Sequence, residues 1–353
     1  MNRAIILADR YYGTLDGKTA HGLVRYSRRY EIVGVIDSKL AGFDAHEVLG
    51  EAPKGIMIYA SLDDAVRATD PDTLIVGVAT NGGSLPPEYR PIVKRAIEKY
   101  CLNIVSGLHE FLSDDPEFSK LAETHHVRIL DVRKLFKDRK DFFTGVIEKV
   151  DSFKVAVLGT DSAIGKRTTA ILLTEALRKH GLKSVFIGTG QTSWMQGARY
   201  CVIIDAIVND FVSGGIEAEI WKAYKEERPD VIVIEGQGSI THPAFPGGFE
   251  IIAAGRPDGI VLQHAPGRVH IDGFPNYPMP DLDRTIKIIE LLSQKKVIGI
   301  TINHENLTRE QIENYVVMYE EKYKVPVCDP LVHGLDKIVN KIVGLIDNKT
   351  VVR

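Results

Sequence analysis

Cysteine is scarce in this sequence, and its placement excludes two kinds of site. Cys101, Cys201 and Cys328 lie far apart and form no Cys-x-x-Cys pair. This spacing argues against a zinc site and a disulfide framework, and it is typical of proteins from reducing compartments. Long apolar runs are missing too: the run at 4–8 is too short for a signal peptide. No stretch approaches the roughly 20 residues of a membrane span. We therefore expect a cytoplasmic protein without a membrane partner.

The sequence also lacks a surplus of charge of either sign. Lys plus Arg (44) nearly balances Asp plus Glu (47), which gives a net charge of −3 at pH 7. Proteins that bind nucleic acid present a basic surface to the phosphates. The balance therefore argues against a nucleic-acid partner and leaves a small molecule as the expected one. It does not decide between a monomer and a homo-oligomer.

Short β-branched runs alternate with longer amphipathic segments, which is typical of βα units with mostly parallel sheets. Strands are predicted at 4–8, 31–37, 55–59, 73–79, 103–107 and 127–132, and a helix at 87–100. A second cycle has predicted strands at 153–159, 184–188, 230–236, 258–263 and 297–303, with helices at 168–181, 211–227, 281–294, 307–322 and 334–346. The two cycles predict an α/β fold: a Rossmann-like domain at 1–148, then a P-loop NTPase-like doubly wound sheet at 149–353.

The stretch GTDSAIGKRTTA (159–170) lies between a predicted strand and a predicted helix. In this setting the backbone amides of a tight turn and the helix N-terminus attract phosphate, and the lysine reaches the terminal phosphates. We therefore predict that a nucleotide or another phosphate-bearing cofactor is bound by Gly159, Thr160, Asp161, Ser162, Ala163, Ile164, Gly165, Lys166, Arg167 and Thr168.

Arg167 stands where the usual phosphate loop has a Ser or Thr hydroxyl that holds magnesium. A magnesium ion would have to be held by Thr168, Asp161 or a distant carboxylate, or it is not held at all. The extra cation suits a ligand whose charge no metal has neutralised. The need for magnesium stays open, and no ligand spacing predicts a resident metal.

Candidate catalytic residues follow a second strand end, in DVIVIEGQGS (230–239). Glu235 ends this predicted strand, and open α/β sheets bind ligands at the carboxyl ends of their strands. We predict catalytic roles for Glu235, Lys166 and His242. Histidine titrates near neutral pH and can act as a base, although a histidine that precedes a proline, as His242 does, is more often a turn residue.

Polar residues after two other strands are candidates for substrate contact. The segment GTGQTSWMQGARY (188–200) supplies Gln191, Thr192, Ser193 and Arg199, and Arg268 follows a later strand. Arg268 is suited to pair with a carboxylate, and the alternative is a surface arginine tied to its own loop.

The N-terminal half contains a partial imitation of a phosphate loop. The stretch from Gly13 to Thr19 (GTLDGKT) is one residue short between its glycines, and the half has no G-x-G-x-x-G motif. Asp37 ends a predicted strand where dinucleotide-binding folds place the acid that contacts ribose. The N-terminal domain is expected to bind part of a ligand or to complete the site.

The motifs GTDSAIGK and VIEGQGS are similar to those of the dethiobiotin synthetase and cobyrinate amidase branch of P-loop proteins. The matching positions are Thr160, Asp161, Gly165, Lys166, Glu235, Gly236 and Gly238. Arg167 departs from that branch, which has threonine there.

A second resemblance covers essentially the whole chain. It rests on GKTAHGLVRY (17–26), GVATNGG (77–83), GTDSAIGKRTTA (159–170), GTGQTSWMQGA (188–198), VNDFVSGGIE (208–217), EGQGSITHP (235–243) and QHAPGR (263–268). By these motifs the sequence resembles a bacterial family of unknown-function proteins with a Rossmann-like domain fused to a P-loop domain. Members of that family are linked to D-glutamate N-acetyltransferase activity.

The resemblance implies an amino-acid N-acetyltransferase that uses acetyl-CoA and acts on a dicarboxylic substrate, D-glutamate. Coenzyme A carries a diphosphate and needs no magnesium to bind. Two alternatives stay open: an ATP- and magnesium-dependent enzyme that forms C–N bonds, like dethiobiotin synthetase, and a nucleotide sensor without turnover. Magnesium dependence separates the two enzymes.

Overall fold

The computed structural model describes residues 1–351, without the side chains of Asn81 and of residues 348–351. The chain forms two compact units. The N-terminal unit comprises residues 1–138 together with the segments 190–198 and 205–207, and the P-loop unit comprises the rest of the described chain. The chain therefore leaves the P-loop unit at Thr189 to contribute a short segment to the N-terminal unit.

The N-terminal unit is built on one parallel sheet. Its strands are β1 (Asn2–Leu7), β2 (Tyr30–Ile36), β3 (Ile58–Tyr59), β4 (Thr73–Val76), β5 (Asn103–Ser106) and β6 (Ile129–Asp131). Its helices are α1 (Lys18–Arg25), α2 (Ala45–Val48), α3 (Leu62–Thr69), α4 (Arg90–Tyr100) and α5 (Pro116–Thr124). The order β3-β2-β1-β4-β5-β6, with every pairing parallel, is that of dinucleotide-binding folds.

Four helices of this unit, α1, α2, α3 and α5, were not expected from the sequence. Three of them carry N-caps, and at α2 the Asp44 side chain accepts a hydrogen bond from the His46 amide. The Ser61 side chain accepts a hydrogen bond from the Asp64 amide at the start of α3, and Asp115 caps α5 just before Pro116. Ser-x-x-Asp and Asp-Pro are ordinary start signals, but helices this short have little periodicity. The strand expected at 55–59 is shortened to β3: Gly55 has a φ of +85°, and Met57 forms an isolated antiparallel bridge with Asp44.

The P-loop unit has a seven-stranded parallel sheet of order β15-β14-β11-β7-β10-β8-β9 and a separate antiparallel hairpin, β12–β13. Its strands are β7 (Phe153–Gly159), β8 (Ser184–Gly188), β9 (Tyr200–Cys201), β10 (Val231–Glu235), β11 (Gly259–His264), β12 (His270–Ile271), β13 (Phe274–Pro278), β14 (Val297–Ile302) and β15 (Val327–Cys328). The helices that follow α5 along the chain are α6 (Lys166–Lys179), α7 (Gln191–Met195, in the segment given to the N-terminal unit), α8 (Asn209–Glu227), α9 (Phe249–Gly255), α10 (Leu282–Ser293), α11 (Arg309–Tyr323) and α12 (Asp336–Val351). The expected α/β fold with two mostly parallel sheets is confirmed.

The centre of this sheet positions the candidate site. Every residue of β7 is buried, as expected for a central parallel strand covered on both faces. Its neighbours are β10, where Glu235 lies opposite Val157, and β11, where Gln263 lies opposite Gly159. The carboxyl ends of three adjacent strands thus meet at the start of the phosphate loop. No helix within the described residues is long and apolar enough to cross a membrane.

Candidate phosphate-binding site

The loop between β7 and α6 has the backbone of an anion site. Two of its residues are left-handed, Ala163 with a φ of 50° and Gly165 with a φ of 96°. Within residues 1–351, the amides of Ala163, Ile164 and Gly165 donate to no protein acceptor. Consecutive amides released in this way form a concave nest for an anion, and the N-terminus of α6 adds partial positive charge. The backbone therefore suits a phosphate group.

Lys166 lies back along this loop. Its side chain is buried, and its Nζ donates to the Asp161 carbonyl at 2.5 Å. The aliphatic stem packs over Gly159, where an added Cβ would lie 2.8 Å from Lys166 Cδ. Glycine at 159 is thus required by close packing against the lysine.

The carboxylate of Asp161 is fully engaged with protein donors. It accepts hydrogen bonds from the Ser162 amide (2.7 Å), the Asp272 amide (3.0 Å) and Arg268 Nη1 (2.8 Å). His242 Nε2 lies 3.5 Å from Oδ1, and the side chain is completely buried. A metal ion at Asp161 would have to displace these donors, so the carboxylate serves as a fastening point for the loop.

Most hydroxyls near the loop are engaged as well. Three pair with neighbouring side chains: Thr160 Oγ1 with His264 Nδ1 (2.9 Å), Ser162 Oγ with Asp272 Oδ2 (2.6 Å) and Thr169 Oγ1 with Gln263 Oε1 (2.5 Å). In the part of the chain that the structure describes, Thr168 is the loop residue whose hydroxyl has no partner. The same part contains no group of three or more His, Cys, Asp and Glu residues that could hold a metal.

His264 stays neutral where it meets Thr160. Burial lowers the pKa of this imidazole to about 4, against a small opposing effect of Asp281. The threonine hydroxyl can donate to one tautomer of the neutral ring and accept from the other, so the pairing is compatible with a neutral His264.

Glu235 lies at the same edge of the sheet. It is buried at the end of β10, and its Oε2 accepts a hydrogen bond from the Thr189 amide at 2.8 Å. Thr189 Oγ1 donates in turn to the Glu235 carbonyl at 3.0 Å. The carboxylate is held by the backbone that follows β8, so its direction is fixed before any ligand binds.

His242 lies beside the loop, with its Nε2 buried 3.5 Å from Asp161 Oδ1. Its Nδ1 accepts from the amides of Ala244 (3.1 Å) and Phe245 (2.9 Å), and this assigns the ring hydrogen to Nε2. Burial lowers the pKa of His242, which Asp161 partly offsets. The ring is therefore neutral and presents an N–H, whereas the base predicted from the sequence would need a lone pair there.

The predicted substrate contacts fall into three groups. Arg268 lies against the phosphate loop, and Arg199 is exposed and pairs with Glu226 and Glu227 at the end of α8. Gln191, Thr192 and Ser193 form α7 and belong to the N-terminal unit. There Gln191 Nε2 donates to Thr19 Oγ1 at 3.0 Å, and the hydroxyls of Thr192 and Thr19 lie 3.2 Å apart.

Residues of the site that were missed include Gln263, Asp272, Asn303 and Glu305. Gln263 lies in β11 and Asn303 directly follows β14, so the rule that parallel strands present ligand-binding residues at their carboxyl ends could have found both. Asp272 and Glu305 reach the site through the turn of a hairpin and through a loop. The sequence carries no signal for either.

Comparison with known proteins agrees with this architecture. The family profile described as the P-loop domain of the domain of unknown function DUF1611 (DUF1611_C) matches residues 141–339. The profile of its Rossmann-like N-terminal domain (DUF1611_N) matches residues 38–135.

Two curated relatives match over most of their length. A Tritonibacter scottomollicae protein named D-glutamate N-acetyltransferase is 30% identical over 296 residues, covering 81% of this chain and 85% of the relative. A Pseudoalteromonas protein of the same name is 32% identical over 274 residues, covering 76% and 80%.

The crystal structure of a DUF1611 family protein from Anabaena variabilis ATCC 29413 is similar with a TM-score of 0.89 at 29% identity, covering 98% of this chain and 100% of that one. On these matches, the chain belongs to the DUF1611 family of proteins with a Rossmann-like N-terminal domain and a P-loop domain.

Proposed function

We propose that this protein is a D-glutamate N-acetyltransferase that takes its acetyl group from acetyl-CoA. The observation that carries the proposal is the chemistry of the phosphate loop. Arg167 replaces the magnesium-binding hydroxyl, and the Asp161 carboxylate and the Thr169 hydroxyl are already bonded to protein groups. Such a loop suits a diphosphate that arrives without a metal, as in coenzyme A. The names of two relatives support the substrate.

The loop residues divide the binding of this diphosphate between them. The open amides of Ala163, Ile164 and Gly165 donate to its oxygens, and Lys166 and Arg167 neutralise its charge. Hydrogen bonds between charged partners are about twice as strong as neutral ones, so these groups supply most of the affinity.

Acetyl transfer forms a C–N bond at the amine of the amino acid and breaks the C–S bond of the thioester, releasing a thiolate. The substrate ammonium must first lose one proton to the base, and the attacked carbonyl oxygen gains negative charge; the nitrogen then loses a second proton, which the departing thiolate takes up. We assign the base to Glu235, whose carboxylate is fixed at the end of β10. His242 is not assigned a contact with the oxyanion, because its Nε2 is buried and faces Asp161 Oδ1 at 3.5 Å.

The decisive experiment measures thiol release from acetyl-CoA with D-glutamate in the presence of EDTA. We expect release that depends on D-glutamate, with L-glutamate much slower. A reaction without amino acid subtracts the signal of the exposed thiol of Cys101. No release with either isomer would contradict the proposal. Tight binding of acetyl-CoA without turnover would favour a sensor.

One observation favours ATP- and magnesium-dependent C–N bond formation as the second candidate. Among the loop residues that the structure describes, Thr168 has a hydroxyl without a partner, at the N-terminus of α6. If this hydroxyl held magnesium, ADP formation would require the metal and would be lost in Thr168→Ala. Under the acetyltransferase proposal, the thiol release of the unaltered protein and of this variant does not depend on magnesium.

A further inference from the structure

The guanidinium of Arg268 is bonded to the phosphate loop itself. Its side chain is 5% exposed, and Nη1 donates to Asp161 Oδ2 (2.8 Å) and to the Ser162 carbonyl (2.9 Å). Nη2 donates to the Ala163 carbonyl at 3.2 Å. On its other side Glu305 accepts from Nε at 2.9 Å and lies 2.8 Å from Nη2. One guanidinium thus binds three acceptors of the loop and is anchored by a second carboxylate.

These contacts fix the direction of the loop's amides. In a trans peptide the carbonyl and the amide of the same unit point in opposite directions. Arg268 holds the carbonyls of Ser162 and Ala163, and Asn303 Nδ2 holds that of Ile164 at 2.9 Å. The amides of Ala163, Ile164 and Gly165 must therefore point away from these two side chains. They are the same amides that have no protein acceptor within residues 1–351.

The loop needs such a restraint because its conformation is not the intrinsic preference of its sequence. Ala163 has a φ of 50°, a left-handed conformation that is unfavourable for a residue with a Cβ. Without the guanidinium, the carbonyls at 162 and 163 would be free to rotate, and Ala163 could relax to a right-handed conformation. Either movement would turn amides away from the anion.

We propose that Arg268 is a positioning residue that shapes the anion-binding loop, with Glu305 holding the guanidinium in place. Arg268 therefore acts on phosphate affinity through the backbone of residues 162–164 and has no contact with the ligand. The proposal rests on the proposed function only in that the loop binds a phosphate-bearing ligand. Acetyl transfer is not required for it.

The test is calorimetric titration of the full chain with inorganic diphosphate and with coenzyme A. We expect Arg268→Ala to weaken both affinities about 30-fold, since a pre-shaped backbone has become flexible. Arg268→Lys keeps the charge but can hold only part of the loop, so it should recover only part of this loss. The control is Arg178→Ala, because Arg178 also binds a backbone carbonyl, that of Ser184, but far along α6. This variant should bind both ligands like the unaltered chain.

Chemical rescue separates positioning from general stability. Millimolar guanidinium should restore diphosphate binding to Arg268→Ala and should not affect Arg178→Ala. If Arg268→Ala does not fold, Glu305→Gln carries the test, with an expected loss of about 3-fold in both affinities. Wild-type affinity in the Arg268 and Glu305 variants would overturn the inference, and so would an unaltered chain that binds no diphosphate. Intact diphosphate binding without acetyl transfer would contradict the proposed function alone.

Discussion

The two units of this protein build the same kind of turn and finish it in opposite ways. Each has a first strand, a glycine-containing turn with a Gly-Lys pair, and a helix, with the turns at 8–18 and 159–166. In the P-loop unit the amides at 163–165 are open. In the N-terminal unit the Tyr12 amide donates to Asp37 Oδ2 at 3.0 Å, and Ala20 in the first turn of α1 donates to the Gly77 carbonyl at 3.0 Å. The amides of Tyr11, Thr14 and Gly17 donate to carbonyls of the same turn, so no three consecutive amides within 8–18 are open. A nest for an anion needs consecutive open amides.

Side chains close the N-terminal turn. Tyr12 is completely buried, and its hydroxyl donates to the Ala45 carbonyl at 2.9 Å. Asp37 stands at the position of a ribose-binding acid, but its second oxygen accepts from the Lys39 amide at 2.9 Å. The acid thus holds its own turn together, much as Asp161 holds the phosphate loop. The difference lies in the amides that each carboxylate engages. Asp161 leaves the amides of 163–165 without a protein acceptor, whereas Asp37 accepts a hydrogen bond from the Tyr12 amide of the turn itself.

The largest effect should come from removing the two corresponding lysines in separate variants. We expect Lys166→Met to weaken the binding of inorganic diphosphate about 1,000-fold, because two or more charge-assisted hydrogen bonds are lost. Lys18→Met removes the lysine of the N-terminal turn and should leave the affinity unchanged. Titration calorimetry on both variants measures this. Equal losses would show that both turns contribute to one phosphate site and would contradict the comparison.

Low pH should destabilise the P-loop unit because His264 becomes protonated. Its pKa is lowered from 6.5 to about 4 by burial, so stability is fully present above pH 6.5 and is lost as the pH falls toward 4. A pKa shift of this size corresponds to about 3 kcal/mol of unfolding free energy. His264→Asn keeps a partner for Thr160 and should remove this slope.

The measurement can be restricted to one unit. Trp194 lies in the N-terminal unit and Trp221 in α8, so in a Trp194→Phe background the fluorescence of Trp221 reports the P-loop unit. Urea unfolding at pH 7, 5.5 and 4.5 then gives the slope for that unit. A slope that is the same with and without His264 would assign the acid sensitivity to other groups.

The comparison also explains what the sequence could reveal. The buried run of β7 and the glycines of the loop predict an anion site because they act locally, through strand burial and backbone freedom. The contacts that decide between an open and a closed turn come from distant positions: Arg268 and Asn303 for the loop, Asp37 for the N-terminal turn. Arg268 was expected to contact substrate. In the sequence, an arginine that follows a strand end has the same pattern whether it binds a substrate or supports a neighbouring loop. The tautomer of His242 depends on two amides that only the folded turn brings to Nδ1.

The smallest expected effect tests the first glycine of each turn. A Cβ at Gly159 would lie 2.8 Å from Lys166 Cδ, whereas one at Gly13 would meet Leu40 Cδ1 at 3.4 Å, a tolerable contact. Gly159→Ala should therefore displace the lysine and weaken diphosphate binding about 10-fold, a cost near 1.4 kcal/mol. Gly13→Ala should change neither binding nor folding. The added Cβ would also lie 2.9 Å from Ile164 Cδ1, so Gly159→Ala should keep part of its effect in a Lys166→Ala background. A full additional loss there would assign the effect to Ile164 and the loop and not to the lysine.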